Sequence, residues 1–349
     1  MNRTIFTITL LFAVLNDLSA DQLYIDPFEI LAGETKEVSI NFTQENETSY
    51  CAAQFDVYLP KGLELVMENN SYGVLNPNRT TTSKPHVLRS SFYNNVCYRF
   101  MVFAMSGTQY IKGTSGELIK VKIRANGEVE GGTQICEIKN IKLTTAPSPS
   151  TVLLDAQTTQ IAEYIAKISD SGYGSFSWPY ALDFSACDGV ATVFRAATTG
   201  ANGSCILEPI ADKIVPANTG VILKGTAGKY CPTMISYASP VESTLIPTSD
   251  ATYTVNYDKE VYALSTKNGK TGFYPCREGV IVPQFKCYLQ GTSTTNAKEI
   301  IFLEEDLSDI SSLSVDESEH DCYSLSGIKV GTPTRKNVYI QNGRKILIK

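Results

Sequence analysis

The chain has 349 residues, of which 43% are hydrophobic and 19% charged, and its formal net charge is −6. At roughly 150 residues per domain this length predicts two domains and a small addition. A nucleic-acid partner is disfavoured, because binding a phosphate backbone requires a concentrated basic face. The 24 Gly and 15 Pro residues favour short strands and turns over long helices.

The first 20 residues have the three-part layout of a secretory signal peptide. Arg3 precedes an apolar run from Ile5 to Val14, and a polar stretch ends at Ala20. The apolar run is too short to span a bilayer, and no later segment is apolar enough to do so. The sequence therefore predicts a signal peptide over residues 1–20, no transmembrane helix, and a protein that is secreted or attached to the outer cell surface.

Alternation at period two predicts strands over residues 21–160. Residues 38–43 and 55–59 alternate apolar with polar side chains, which is typical of half-buried strands. Ile119 to Arg124 alternates apolar with basic residues, so that strand should show one face to water. Tyr98 to Met105 (YRFMVFAM) is apolar on both faces, which predicts a strand in the middle of the domain. Such a set predicts two packed antiparallel sheets.

The order AGETKEVSI, AAQFDVYLPKGLEL, YRFMVFAM, GTSGELIKVKIRA resembles that of a cohesin-like β-sandwich and covers about residues 24–160. Cohesins bind dockerin modules through a face of their strands, so the resemblance implies a protein-binding role. The polar loop 70–83 and the lysine-rich strand 120–124 are candidate contacts, and an ordinary solvated surface is the alternative for each. The chain has no DxDxDG calcium loop, so it contains no dockerin.

Residues 161–303 form a second predicted β-rich domain, and it opens with the stretch GYGSFSWPYALDFSACDG at 172–189. This stretch, with IVPANTGVILKG and VYALSTKNGKTGFYP, resembles a module of surface proteins from Bacteroidetes-type bacteria. Trp178 and Tyr180 are the candidate ligand-binding residues, because neighbouring aromatic rings can stack on a sugar. A packed aromatic anchor is the alternative for Trp178.

The C-terminal part divides into an acidic linker over residues 304–321 and a hairpin over residues 322–349. Asn342-Gly343 between two apolar runs is a strong signal for a two-residue hairpin turn. The pattern YSLSGIKV and NVYIQNGRKILIK resembles the end of the C-terminal sorting domain used by type IX secretion, although the tail is shorter than a full domain of that kind.

Catalytic groups are scarce in this sequence. The two histidines, His86 and His320, fall in a predicted loop and in the acidic linker, and Asp56, Asp183 and Asp188 fit strand or turn positions. None of the nine cysteines forms a CxxC pair, so structural disulfides or buried free thiols explain them better than a metal or redox site. No catalytic residue, cofactor or metal ligand is predicted.

The sequence as a whole predicts an all-β, non-enzymatic binding or attachment protein with a protein partner. One alternative is a carbohydrate-binding accessory protein of a polysaccharide-using bacterium, with a surface glycan as ligand. A glycoside hydrolase is the other alternative, because its two carboxylates need only be close in space.

Overall fold

The computed structural model describes residues 21–304 except 82, 108, 200–203, 257–258 and 292–299, together with the tail segments 322–324, 329–330, 337–341 and 344–348. Residues 1–20 and 305–321, which hold the predicted signal peptide and nearly all of the predicted acidic linker, lie outside this part. The chain forms two compact units, Met1–Glu305 and Asp306–Lys349.

The described residues form strands and one short 3-10 helix, Pro77–Arg79. The strands that build the N-terminal sandwich are β1 (Gln22–Ile25), β2 (Phe28–Leu31), β3 (Thr35–Thr43), β4 (Tyr50–Tyr58), β5 (Leu63–Leu65), β6 (Val74–Leu75), β7 (His86–Tyr93), β8 (Cys97–Ala104), β9 (Glu117–Ala125), β10 (Gly132–Thr145), β11 (Thr151–Leu154) and β12 (Gln157–Tyr164).

The strands that follow in the first unit are β13 (Ala166–Ile168), β14 (Tyr173–Phe176), β15 (Ala181–Asp183), β16 (Val190–Thr199), β17 (Ser204–Pro209), β18 (Ile214–Val215), β19 (Val221–Gly225), β20 (Gly228–Tyr230), β21 (Thr233–Ile235), β22 (Leu245–Pro247), β23 (Tyr253–Thr254), β24 (Val261–Lys267), β25 (Lys270–Pro275), β26 (Ile281–Val282), β27 (Cys287–Gln290) and β28 (Ile300–Glu304). The second unit contains β29 (Cys322–Ser324), β30 (Lys329–Val330), β31 (Asn337–Gln341) and β32 (Arg344–Ile348).

Two sheets pack face to face in the N-terminal sandwich, as the alternation predicts. The smaller sheet has the order β1-β3-β9-β5, with β6 also paired to β9, and the larger has the order β2-β12-β10-β4-β8-β7, with β11 paired to β10. Apolar residues from both sheets, such as Ile40, Phe55, Phe100 and Ile119, are fully buried between them. All pairs are antiparallel except β2 with β12, and β12 continues past residue 160 to Tyr164.

The second β region of the first unit is built on a nine-stranded sheet of order β14-β19-β16-β17-β28-β25-β24-β27-β22. A glycine of the sandwich allows a close approach to this region: a Cβ on Gly131 (φ +78°) would lie 2.3 Å from the sulfur of Cys231. The sandwich and the second β region therefore pack directly against each other at this point.

In the C-terminal unit, β31 and β32 pair antiparallel with Gln341 opposite Arg344, as the predicted hairpin requires. The turn residues 342–343 themselves lie outside the described part. The strand order of this unit is β30-β29-β31-β32.

The eight cysteines with described side chains are free thiols, and five of them are buried: Cys51, Cys97, Cys136, Cys205 and Cys287. Burial raises the pKa of Cys136, and likewise that of Cys205, to about 12. The Cys136 and Cys205 thiols therefore stay protonated at neutral pH and pack as small apolar groups.

Candidate protein-binding face

The strand predicted to be buried on both faces, β8, has one buried and one partly open face. Tyr98, Phe100 and Val102 point into the sandwich, whereas Met101 on the opposite side is 38% exposed. The prediction of a central strand is therefore wrong: β8 is second from the edge of its sheet, between β4 and the edge strand β7. Its apolar outer residues are not covered by another layer of the sandwich.

The strand register extends this outer surface across four strands, because residues directly opposite each other in an antiparallel pair project from the same face. We call this surface the open face and define it by the outward side chains of β4, β7, β8 and β10: Ala52, Gln54, Asp56, Tyr58, Val87, Arg89, Ser91, Tyr93, Arg99, Met101, Phe103, Ile135, Glu137, Lys139 and Lys142.

A charge pair with a buried carboxylate lies at the centre of the open face. Arg99 donates to both carboxylate oxygens of Asp56, with N···O distances of 2.7 and 2.8 Å, and the Asn140 amide donates to the same carboxylate at 2.9 Å. Burial raises the pKa of Asp56, but the hydrogen bonds from Arg99 and Asn140 and the charges of Arg99 and Lys142 outweigh it, so the pKa lies below its ordinary value. The carboxylate is held ionised under the guanidinium.

Aromatic rings on the same surface bind the basic side chains. The guanidinium of Arg99 lies 3.6 Å from the ring centroid of Tyr93, and the ammonium of Lys139 lies 5.3 Å from that of Tyr58. Lys139 also pairs with Glu137 at 2.6 Å. These contacts fix the orientation of long side chains that would otherwise lose conformational freedom when a partner binds.

The open face differs in charge from the rest of the chain. It has four basic side chains (Arg89, Arg99, Lys139 and Lys142) and two acidic ones (Asp56 and Glu137), whereas the whole chain carries −6. A surface with apolar side chains, aromatic rings and a basic balance complements a partner with apolar and acidic side chains.

Trp178 and Tyr180, the predicted ligand-binding pair, do not share an open surface. Trp178 is 1% exposed, with its ring centroid 4.5 Å from that of Phe285 and its indole nitrogen without a hydrogen-bond partner in the described part of the chain. The prediction of a two-ring sugar platform is wrong for this reason, and Trp178 is a packed anchor of the second β region. Tyr180 is 47% exposed and stays a prediction as a ligand contact.

The lysine-rich strand is β9, and it shows the expected single wet face. Lys122 pairs with Glu68 at 2.7 Å, and Arg124 donates to Glu64 at 2.7 Å. Because its charges are matched within the sandwich, this face fits the solvated alternative better than a site for an acidic partner.

The polar loop 70–83 is anchored by a buried arginine. Arg79 donates to the backbone carbonyls of Ser115 and Phe42 at 2.6 and 3.1 Å. His86 was predicted in a loop, but it is the first residue of β7 and is buried, with its imidazole 3.1 Å from the Thr80 hydroxyl and from the Cys51 carbonyl. Burial lowers the pKa of His86, so this imidazole is neutral at pH 7.

Asp183 ends β15 and stabilises the turn that follows, because its carboxylate accepts from the backbone N–H of Ser185 at 2.7 Å. Within the described residues, no group of three His, Cys, Asp or Glu side chains is placed to hold a metal ion. The same part of the chain contains no helix that is long and apolar enough to cross a membrane.

Sequence reasoning missed the open face, although its signal was present. YRFMVFAM carries apolar residues on both faces of the strand. This is typical either of a strand covered on both sides or of a strand whose outer face is an apolar interaction surface. The charged pair at the centre of the open face could not be predicted from local sequence, because Asp56 and Arg99 are 43 positions apart.

Comparison with solved structures finds similarity to cohesin modules. The seventh ScaB type I cohesin from Pseudobacteroides cellulosolvens has 12% identity and a TM-score of 0.33, over 41% of this chain and 91% of that one. The sixth cohesin of Acetivibrio cellulolyticus scaffoldin B, in complex with a Cel5 dockerin mutant, has 13% identity and a TM-score of 0.34, over 42% and 99%. A non-cellulosomal cohesin from Archaeoglobus fulgidus has 15% identity and a TM-score of 0.30, over 41% and 92%.

These similarities concern about two fifths of the chain, and no function of this protein follows from them. No protein-family model matches the sequence, and no curated protein matches it either. The all-β architecture stands on the strands and sheets of the molecule itself.

Proposed function

We propose that this chain is an exported, non-enzymatic binding or attachment protein that captures a protein partner on the open face. The observation that carries the proposal is the exposure of apolar side chains on a sheet already stabilised from its inner side. Met101 is 38% exposed, and the partly exposed Phe103 and Val87 lie beside it on the same face. Contiguous exposed apolar surface rimmed by polar groups marks interaction sites.

The composition of the open face supports a protein partner. Tyr and Arg are residue types that dominate binding energy at protein interfaces, and here the Arg99 guanidinium lies over the ring of Tyr93. The Asp56–Arg99 pair keeps the guanidinium in one place without neutralising the basic balance of the surrounding lysines and Arg89. The partner we expect is a folded module that presents an apolar ridge flanked by Asp or Glu.

The cellular setting of this proposal comes from the sequence. Residues 1–20 act as an export signal, residues 21–160 form the cohesin-like binding domain, residues 161–303 form the surface-protein module, and the segments 304–321 and 322–349 form the linker and the sorting-like hairpin. We therefore propose that the protein is secreted or lies on the cell surface, in a bacterium of the Bacteroidetes type.

The test compares the full chain with two methionine variants. Met101→Lys introduces a charge into the open face, and Met67→Lys introduces the same charge at a 53% exposed methionine outside that face. Each protein is immobilised, exposed to the secreted proteins of the producing organism, and the retained protein is identified, purified and titrated. We expect one partner retained by the wild type and by Met67→Lys, with a dissociation constant at least tenfold higher for Met101→Lys.

Equal retention of that partner by all three proteins would place its contact elsewhere and contradict the proposal. Thermal unfolding of both variants provides the control for folding. Because both methionines are substantially exposed, we expect each midpoint to stay close to that of the wild type.

A further inference from the structure

A buried carboxyl group lies where the sandwich meets the second β region. Glu163 is the second-to-last residue of β12, opposite Gly132 of β10 and Ile30 of β2. It shares the inner face of the sheet with the fully buried Ile30, and the whole residue is 1% exposed. Among the described residues, no basic side chain lies close enough to shift its pKa. Because a charge buried without a partner is costly, the protonation state of this group matters for the fold.

One of the two carboxyl oxygens of Glu163 is left without a hydrogen bond. Oε2 accepts from the backbone N–H of Gly131 at 3.2 Å, whereas Oε1 is buried and has no partner in the described part of the chain. In the ionised form both oxygens carry negative charge and both lose their hydration, whereas the protonated form has no charge to desolvate. The surroundings of Glu163 therefore suit the neutral form better than the ionised form.

The pKa of Glu163 agrees with this geometry. Burial raises the pKa above its ordinary value of 4.5, and the charge of Glu130 adds to this effect. Hydrogen bonds from the backbone of Gly131 and of Glu130 lower the pKa, but they do not cancel the effect of burial.

The other charged and titratable groups near Glu163 come from the loop before β10, from β2 and from the second β region. Four of them form two ion pairs, with N···O distances of 3.7 and 2.5 Å: Glu130 with Lys61, and Glu29 of β2 with Lys229 of β20. Burial raises the pKa of the Cys231 thiol, and the charge of Glu163 adds to this effect, so that thiol is protonated at neutral pH. Glu163 is therefore the buried acid of this set that has no basic partner.

The loop that bonds to Glu163 also contacts the second β region. Gly131 and Gly132 both have a φ of +78°, a backbone conformation that favours glycine. The N–H of Gly131 bonds to Glu163, and the sulfur of Cys231 lies 2.3 Å from the position that a Cβ on Gly131 would take. Because one glycine makes both contacts, a movement that lets water reach the carboxyl group also separates the sandwich from Cys231.

We propose that Glu163 is a pH-sensitive latch between the sandwich and the second β region, closed when its carboxyl group is neutral and opened when it is ionised. Ionisation opens the contact between Gly131 and Cys231, because the charged carboxylate gains hydration at its unpaired oxygen. The folded-state pKa lies above the ordinary value of 4.5. The closed contact is therefore fully stabilised below about pH 4.5 and loses stability as the pH rises through the folded-state pKa.

The test is hydrogen exchange of the full chain, measured by mass spectrometry at pH 5 and pH 8 and corrected for the intrinsic effect of pH. Glu163→Gln keeps the shape of the side chain but cannot ionise. At pH 8 we expect peptides covering residues 130–132 and 229–231 to exchange about fivefold faster in the wild type than in Glu163→Gln. At pH 5 the two proteins should agree within about twofold.

Two controls assign the effect to this carboxyl group. Glu128→Gln removes an exposed carboxylate of the same loop and should exchange like the wild type at both pH values. The wild type alone gives a second measure, which does not depend on the folding of any variant. Its junction peptides should lose protection between pH 5 and pH 8 relative to peptides of β3 and β9 in the sandwich.

Two results would overturn the proposal. One is an exchange ratio between wild type and Glu163→Gln that is the same at both pH values, together with unchanged relative protection in the wild type. The other is a pH-dependent difference spread evenly over all peptides of the first unit, which would make Glu163 a determinant of global stability and not a latch. Neither result bears on the open face, whose test uses different residues and a protein partner.

Discussion

The two sheets of the sandwich present outer faces of opposite character. On β9 the outward residues Lys122 and Arg124 are matched by Glu68 and Glu64 of the same sandwich. On β8 the outward residues include Met101, which is 38% exposed and has no covering layer within the sandwich. A face whose charges are paired within the sandwich is already stable in water. Exposed apolar area is different, because covering it with a partner removes it from water, which is favourable.

The strongest test of this contrast uses two adjacent residues of β8. Phe100 is fully buried and its ring stacks on Phe55 at a centroid distance of 5.3 Å, so Phe100→Ala should cost about 3–5 kcal/mol of unfolding free energy. Met101→Ala should cost less than about 1 kcal/mol, because that side chain leaves the open face and not the core. Urea unfolding of both variants measures the difference. Similar losses would mean that Met101 is structural and would remove the main support for the open face.

The central charge pair should contribute to stability as well. Asp56→Ala removes the acceptor of Arg99 and Asn140, and we expect a loss of about 2 kcal/mol. This is less than for a fully buried pair, because the Arg99 side chain is 23% exposed and can still reach water. Urea unfolding at pH 7 measures the loss. Asn140→Gly is the comparison variant, because it removes the neutral amide donor and tolerates the φ of +54° at this position. A loss no larger than that of Asn140→Gly would show that the Arg99 contact contributes little.

The pH dependence of stability should identify the ionised form of Asp56. Its folded-state pKa lies below the ordinary value, because hydrogen bonds from Arg99 and Asn140 outweigh the effect of burial. Its contribution is therefore complete above about pH 4 and is lost as the pH falls through the folded-state pKa. Asp56→Asn should lose less stability than the wild type on going from pH 5 to pH 2.5. Parallel pH profiles for the two proteins would contradict this assignment.

Local pattern was enough to predict much of the architecture. The alternation of residues 119–124 and the Asn-Gly turn at 342–343 each depend on neighbouring side chains, and the corresponding strands are present. The two-sided apolar run at 98–105 was ambiguous by nature, because sequence does not show whether a second layer covers the outer side. Only the strand order, with β8 next to the edge strand, resolves it.

The candidate sites depended on contacts that sequence does not contain. Trp178 looked available for stacking until the fold placed Phe285 against it. The open face required β10, β4, β8 and β7 to lie side by side, and no local motif links these four strands. Functional surfaces of this kind arise from packing between distant parts of the chain, which single-sequence periodicity does not report.

The smallest expected effect concerns the matched face of β9. Arg124 and Glu64 are an exposed pair, with side chains 57% and 37% accessible, so their coupling in a double-mutant cycle of Arg124→Ala and Glu64→Ala should be below about 1 kcal/mol. Neither variant should change retention of the partner captured by the open face, because these residues lie on the other sheet. A coupling well above this value would make the pair a stabilising element and not a solvated contact. Weaker retention of the partner would extend the binding surface to β9, and the contrast between the two faces would no longer hold.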